Sequence, residues 1–270
     1  MTPPIRAFCL GHRLPIFSPG VDFTMVTPVA LGLAGEIVIA DDGYPRGSEG
    51  ALSEYAQFFG LAERIAAGDV VADSVYLFQY RKFLSFLEGP RRSTNIPYAF
   101  VADAAGAEAL MPSLERLLES PEPILVGPSL KCSDSISDQY ASSHLPEDFL
   151  GLIAACESLE LLQGERLDAF RKAGFLLPSP TLCRIDAPFL VELAATLAAV
   201  WREFAERFYV RREGYQRRVG GFLLERLHGF LLRERMAAAG RSEPAAMAAM
   251  ELIVISDSPH IVLTGFDSTG

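Results

Sequence analysis

The sequence predicts an α/β fold, with a central mostly parallel sheet in its first half and a helical C-terminal portion. Three observations carry that expectation. Short apolar runs alternate with helical periodicity over roughly the first 130 residues. Polar residues gather directly after those runs, where ligands bind beyond the carboxyl ends of parallel strands. Two long stretches of 3.6-residue periodicity then occupy 187–238.

Taken in order, Ile5–Leu10 (IRAFCL) reads as a strand running into Gly11-His12-Arg13. Asp22–Leu31 holds a second, and Glu36–Ala40 (EIVIA) a buried strand ending at the turn Asp41-Asp42-Gly43. Ala51–Ala67 is helical, with Leu52, Tyr55, Phe58, Phe59 and Ala62 at the apolar positions. Ser74–Tyr80 (SVYLFQY) is a strand leading straight into Arg81-Lys82. Gly89–Asn95 is a turn-rich loop, Tyr98–Ala102 a strand, Ala107–Glu119 a helix and Pro123–Gly127 a short strand. Lys131–His144 is polar and reads as a functional or mobile loop.

Pro146 opens a helix to about Leu159, with Glu147 and Asp148 complementing its dipole. Two prolines make Leu176–Ile185 an edge strand or an extended segment. Asp186 caps a long helix over Ala187–Tyr209, and a second long helix runs to about Ala238. Beyond a break at Gly240–Pro244 lie a short helix and two strands, Leu252–Ser256 and His260–Thr264.

Composition narrows the function classes. No apolar run reaches the roughly 18 residues of a membrane span. The N-terminus lacks a basic-then-apolar signal pattern, so a cytoplasmic protein is expected. The cysteines at 9, 132, 156 and 183 have no metal spacing and read as buried hydrophobes in a reducing compartment. A net charge of −10 argues against nucleic acid as a partner. Locally the balance reverses: Arg202, Arg207, Arg211, Arg212, Arg217 and Arg218 crowd together. They fit a phosphate-bearing substrate or anionic lipid at the inner membrane surface, or simply a solvated helix face.

The stretch Gly214–Phe230 (GYQRRVGGFLLERLHGF) organises the second half. On a helix, Val219, Leu223, Leu227 and Phe230 form an apolar stripe. Arg218, Gly221, Glu225 and His228 fall on the other side. Glycine there costs about 1 kcal/mol against alanine, so the gap admits a close backbone or a ligand. A site and a helix crossing stand as alternatives.

There is no GxGxxG, P-loop, GxSxG, HExxH or paired-cysteine zinc pattern. Nor is there the aspartate–any–aspartate pair that holds a divalent ion on a nucleotide diphosphate. Asp41-Asp42 is the nearest substitute, but adjacent residues of an extended chain point to opposite sides.

In several blocks the chain resembles the DUF4422 proteins of bacterial capsule and exopolysaccharide loci. Phe8–Arg13 with His12 matches a strand ending in histidine and a basic residue; Asp41-Asp42-Gly43 and Glu54 match an acidic turn before a glutamate-bearing helix. Gln79-Tyr80-Arg81-Lys82 stands where the family has His-Tyr-Arg-Arg, and Gln139-Tyr140 with His144 matches a further block. Tyr215-Gln216, Arg218, Gly221-Phe222-Leu223 and Glu225-Arg226-Leu227 match the last. The chain departs from the family at Gln79, in place of histidine, and at Ser179-Pro180, in place of Asn-Met.

The resemblance implies a single GT-A-like domain over 1–270: a nucleotide-sugar-binding half to about 130, an acceptor-binding helical half over 131–240, and a short tail. It implies transfer of a sugar from a nucleotide-diphosphate donor, UDP-linked first, to a saccharide or lipid-linked saccharide acceptor. A divalent metal is left open, with no ligands assigned.

Such a transfer builds negative charge on the departing diphosphate. Arg81 and Lys82, helped by Arg218, suit that task because an arginine fork grips two phosphate oxygens at once. An inverting transfer also needs a base, for which Glu225, Asp42 and His144 are candidates. Glu225 can instead pair with Arg218 or Arg226 purely for structure. His12, Asp41, Gln79, Gln139 and Gly221 are placed along the donor, with Tyr80 and Tyr140 stacking on base or sugar. A non-catalytic binding or scaffold subunit of a polysaccharide assembly complex is the alternative.

Overall fold

The computed structural model describes residues 5–40, 50–120, 122–132, 134–240 and 250–261. The elements are β1 (Ile5–Leu10), β2 (Phe23–Thr27), β3 (Ile37–Val38), α1 (Tyr55–Ala66), β4 (Ser74–Gln79), β5 (Lys82–Ser85), β6 (Arg91–Arg92) and β7 (Ala99–Ala102). There follow α2 (Ala104–Glu108), α3 (Met111–Glu119), β8 (Leu125–Val126), β9 (Leu130–Lys131), α4 (Ile136–Ala141), α5 (Pro146–Ser158) and α6 (Gly164–Arg171). The chain closes with β10 (Phe175–Leu176), β11 (Cys183–Asp186), α7 (Ala187–Arg207), a 3-10 turn (Gly214–Arg218), α8 (Val219–Ala238) and β12 (Glu251–Ile255).

The principal sheet runs β3-β2-β1-β4-β5-β12-β7-β6, with β11 pairing antiparallel to β4 and β8. Its first four strands are all parallel. Chain order moves outward from β1 to β3, then returns to β4 on the far side of β1. That reversal makes the β1/β4 junction a topological switch point, where ligand crevices form beyond the carboxyl ends.

Both faces of the sheet are covered. Phe8, Leu10, Val75 and Leu77 face a core built with α1, α5, α7 and α8. Ala7, Cys9, Tyr76 and Phe78 face the other, closed by α2 and α3. Strand alternation sends neighbours to opposite faces, so a doubly covered strand reads as continuously apolar. Every residue of β4 is buried. The four cysteines are buried and free, as expected.

Several elements differ from expectation. Arg81-Lys82 is not a loop after a strand: Tyr80-Arg81 makes a tight turn and Lys82 opens β5, which pairs back at Gln79–Lys82. Gly89–Asn95 contains the short strand β6, and the helix expected over Ala107–Glu119 is two, broken near Ala109–Leu110. The polar stretch Lys131–His144 contains α4, whose Ser135 caps it by accepting from the Asp138 amide; a turn of helix with one apolar face was too short to show periodicity.

Further along, the strand β11 is interior rather than an edge, because Pro178 and Pro180 sit in the turn before it. Asp186 holds the N-cap position of α7 but caps nothing. Its carboxylate accepts from Ser74 Oγ at 3.1 Å. His260 and Ile261 are not strand; residues 262–264, the tail helix and Asp41-Asp42 lie outside the described residues.

Candidate active site

The carboxyl ends of β1 and β4 lie side by side, Leu10 opposite Gln79, so the residues that follow each strand meet. His12 packs edge-on against Tyr80 at 5.1 Å between centroids. The Arg13 guanidinium lies 4.4 Å from the Tyr80 ring centre and that of Arg81 5.7 Å. Burial, then the charges of Arg13 and Arg81, push the His12 pKa down, which keeps its imidazole neutral. Arg13 was not among the expected site residues, though its place beside His12 was the available signal.

A second wall comes from the segment entering α1. Gly50 has φ +74° and Ser53 φ +56°, a double left-handed bend that presses Ala51–Ser53 onto the start of α8. The contact is backbone to backbone: the Gly221 amide donates to Ala51 O at 2.9 Å. A Cβ on Gly220 would lie 2.7 Å from the Trp201 ring and 2.9 Å from Ala51 O; one on Gly221 would lie 3.1 Å from Ser53 Cβ. The glycine gap in the helix therefore admits a backbone, and Gly221 does not face a ligand.

That docking delivers Ser53 and Glu54 to Arg218. Arg218 Nε donates to Ser53 Oγ at 3.1 Å, and its guanidinium stands 3.7 Å from the Glu54 carboxylate. Thr181 Oγ1 donates to the other Glu54 oxygen at 3.4 Å. Burial works against ionisation of Glu54, but Arg218, then Lys82, outweigh it and hold the carboxyl below its usual range. In the sequence Glu54 stands out only within an acidic-turn block; nothing local marks it as the partner of Arg218 and Lys82.

Lys82 is where the two walls converge. Its ammonium feels Glu54, Arg81, Arg218 and Glu225 together, while burial, the largest influence, lowers its pKa. All five of these side chains, with Ser53 and Ser179, are half-buried rather than fully exposed or enclosed, as the wall of a cleft would be. Three cations (Arg81, Lys82, Arg218) stand with two carboxylates (Glu54, Glu225), in a chain of net charge −10. That local surplus suits an anion.

Glu225 is held from two sides. Its Oε1 accepts from the Ser179 amide at 2.8 Å and its Oε2 from Arg226 Nη1 at 2.9 Å. Ser179 has φ +51°, and Pro180 after it disfavours anything but an extended conformation. A strained residue thus aims its N–H at this carboxylate. Arg226 is only 3% exposed. It also donates to Phe222 O and to Gln139 Oε1, and covers the Tyr140 ring at 5.2 Å.

The remaining expected residues are packed rather than presented. Tyr140 is wholly buried, so it offers no face to a base or sugar. Gln79 is buried at the end of β4, and Gln139 serves Arg226. The Tyr80 ring is contacted by Arg13, Arg81 and His12. His144 stacks on Phe222 at 4.2 Å, and its Nδ1 meets Gln216 Oε1 at 3.2 Å. The Gln216 amide nitrogen donates to Ser143 O, so the oxygen faces the ring and Nδ1 carries the proton. Burial, then Arg226, lower the His144 pKa to about 4, which makes it a weak base.

His228 belongs to the core, not to a charged stripe. It is fully buried, 3.1 Å from Tyr55 OH, with its pKa lowered by burial to about 3. The arginine run of 202–218 is not one open patch either. Arg207 pairs with Glu203, Arg212 with Asp148, and Arg218 with Glu54.

Among the described residues no group of three His, Cys, Asp or Glu could hold a metal ion. No described helix is long and apolar enough to cross a membrane.

Fold and site together define an α/β protein of the switch-point type, with a cluster of cationic side chains at the crossing. No family model and no curated protein matches the chain. Among solved structures it is similar to one described as "WbbM bifunctional glycosytransferase apo structure". The TM-score is 0.72 at 14% identity, covering 94% of this chain and 45% of that one. The chain therefore has the fold of that glycosyltransferase structure, as expected, and spans less than half its length.

Proposed function

We propose that this chain is a glycosyltransferase, moving a sugar from a nucleotide-diphosphate donor to a saccharide or lipid-linked saccharide acceptor. The observation that carries the reading is Lys82, set at the switch point among Arg81, Arg218, Glu54 and Glu225. The glycosyltransferase fold of its structural neighbour and the DUF4422-like sequence blocks support it. Arg81, Lys82 and Arg218 are assigned to the charge that grows on the departing diphosphate. The neutral His12 with Arg13 lies where a β1-side contact to the nucleotide would fall. Glu225 is assigned to the acceptor side, where a carboxylate can take the hydroxyl proton of an inverting transfer.

Calorimetry with UDP-, GDP- and dTDP-sugars, paired with a donor-turnover assay, tests the reading. Heat with one of them and its loss in Arg81→Ala is expected. No heat and no turnover with any would end it. The occupied oxygens of Glu225 favour one second reading, a donor-binding subunit without chemistry. Donor binding with no transfer or hydrolysis, indifferent to Glu225→Gln, selects that alternative.

A further inference from the structure

The 3-10 turn before α8 carries an aromatic surface that none of the roles above uses. Tyr215 is 41% exposed. Its ring lies 4.8 Å from Phe222 and 6.1 Å from His144, tilted only 17° from the His144 plane. Beneath it the His144 and Phe222 rings are stacked at 4.2 Å. Gln216, the next residue in the chain, ties the imidazole to Ser143 O. Tyr215 therefore stands on a fixed stack rather than on a mobile loop.

The stack adjoins the charged cluster. Arg218, on the same turn, lies 5.5 Å over the Phe222 ring while reaching Ser53 and Glu54. Glu225 follows Phe222 by three residues, one turn along the same helix face. Arg218 thus joins the cationic cluster of Arg81 and Lys82 to an aromatic group of Tyr215, Phe222 and His144. Cations suit a diphosphate. An aromatic face with a hydroxyl at its edge and a carboxylate nearby suits a neutral sugar, whose C–H face packs on the ring while its hydroxyls find acceptors.

We infer that Tyr215, backed by His144 and Phe222, is the platform on which a pyranose ring of the acceptor saccharide stacks, its reacting hydroxyl turned towards Glu225. This rests on the transferase reading for the word acceptor, but the platform itself is a saccharide site that stands or falls separately. Tyr215 is a binding residue, and its hydroxyl is not required for stacking.

Saturation-transfer NMR of the whole chain with methyl glucopyranoside, galactopyranoside and mannopyranoside measures the contact directly. At least one of the three is expected to receive saturation on the protons of one ring face. Tyr215→Ala should lower that signal and weaken binding about tenfold, the scale of roughly 1.4 kcal/mol, while Tyr215→Phe should retain it. Melting curves for both variants check that they fold, as an exposed side chain permits.

No saturation with any of the three glycosides, or an unchanged signal in folded Tyr215→Ala, overturns the platform. Calorimetry with nucleotide sugars on the wild-type chain separates the two ideas. Donor heat without glycoside contact sinks the platform alone. Glycoside contact without donor heat keeps the platform and sinks the transferase.

Discussion

Replacing Glu225 by glutamine is the obvious probe of catalysis, and the structure predicts that it will first disturb the fold. Arg226 is 3% exposed, and Glu225 is the carboxylate it reaches, at 2.9 Å. At that distance an effective dielectric of about 20 gives roughly 6 kcal/mol of gross attraction. Desolvation of both groups consumes much of it. Removing one member of a buried pair generally costs about 3–5 kcal/mol, because the other charge is stranded. Glu225 keeps 24% exposure, which places the expected cost near 3 kcal/mol.

The Ser179 amide still finds an oxygen in glutamine, so the loss belongs to the Arg226 side. Urea unfolding of wild type, Glu225→Gln, Arg226→Met and the double variant isolates the pair in a thermodynamic cycle. A coupling of about 2 kcal/mol is expected, and the double variant should recover part of what the first loses. Coupling below about 0.5 kcal/mol, the level of independent sites, would refute the view that this pair holds the wall of the cleft. Activity lost in Glu225→Gln is evidence of chemistry only after this correction.

Lys82→Met should weaken nucleotide-sugar binding about 10- to 100-fold in calorimetry, the scale of one charge-assisted hydrogen bond, with the chain still folded by circular dichroism. Gly220→Ala forces a methyl against Trp201 and Ala51 O, so thermal unfolding should show a loss of about 1–3 kcal/mol. His228 has its pKa lowered from 6.5 to about 3 in the fold. The unfolded chain therefore binds the extra proton between those values, and stability should fall as pH drops from about 6.5 towards 3. Urea midpoints across that range should decline less steeply in His228→Asn.

The parallel half of the sheet was legible because doubly covered strands are continuous apolar runs: IRAFCL coincides with β1, and SVYLFQY overruns β4 by Tyr80 alone. The long helices were legible for the same reason at a different period. The failures are all tertiary. A tight turn of charged residues looks like a loop, and Lys82–Ser85 is held in the sheet chiefly by β12, a strand distant in sequence. Tyr140 and His228 carry the residue types of a site, but packing makes them core. Glu54 carries nothing local to distinguish it; its role appears when Gly220 and Gly221 let its loop dock beside Arg218.

Ser179 offers a test of how the cleft is held. At φ +51° a non-glycine residue costs about 1–2 kcal/mol relative to the right-handed region, and Pro180 adds its own bias towards extended backbone. Two bonds hold the conformation: the amide on Glu225 Oε1 at 2.8 Å, and the carbonyl accepting from Leu182 N at 2.9 Å. Both use backbone atoms, so the side chain can change without removing either. Ser179→Asn, a residue more at ease at positive φ, should raise stability by roughly 0.5–1 kcal/mol. Ser179→Val, branched at Cβ, should lower it by about 2 kcal/mol and weaken nucleotide-sugar binding as Glu225 and Arg226 shift. Equal urea midpoints for the two variants would mean that the backbone here is relaxed.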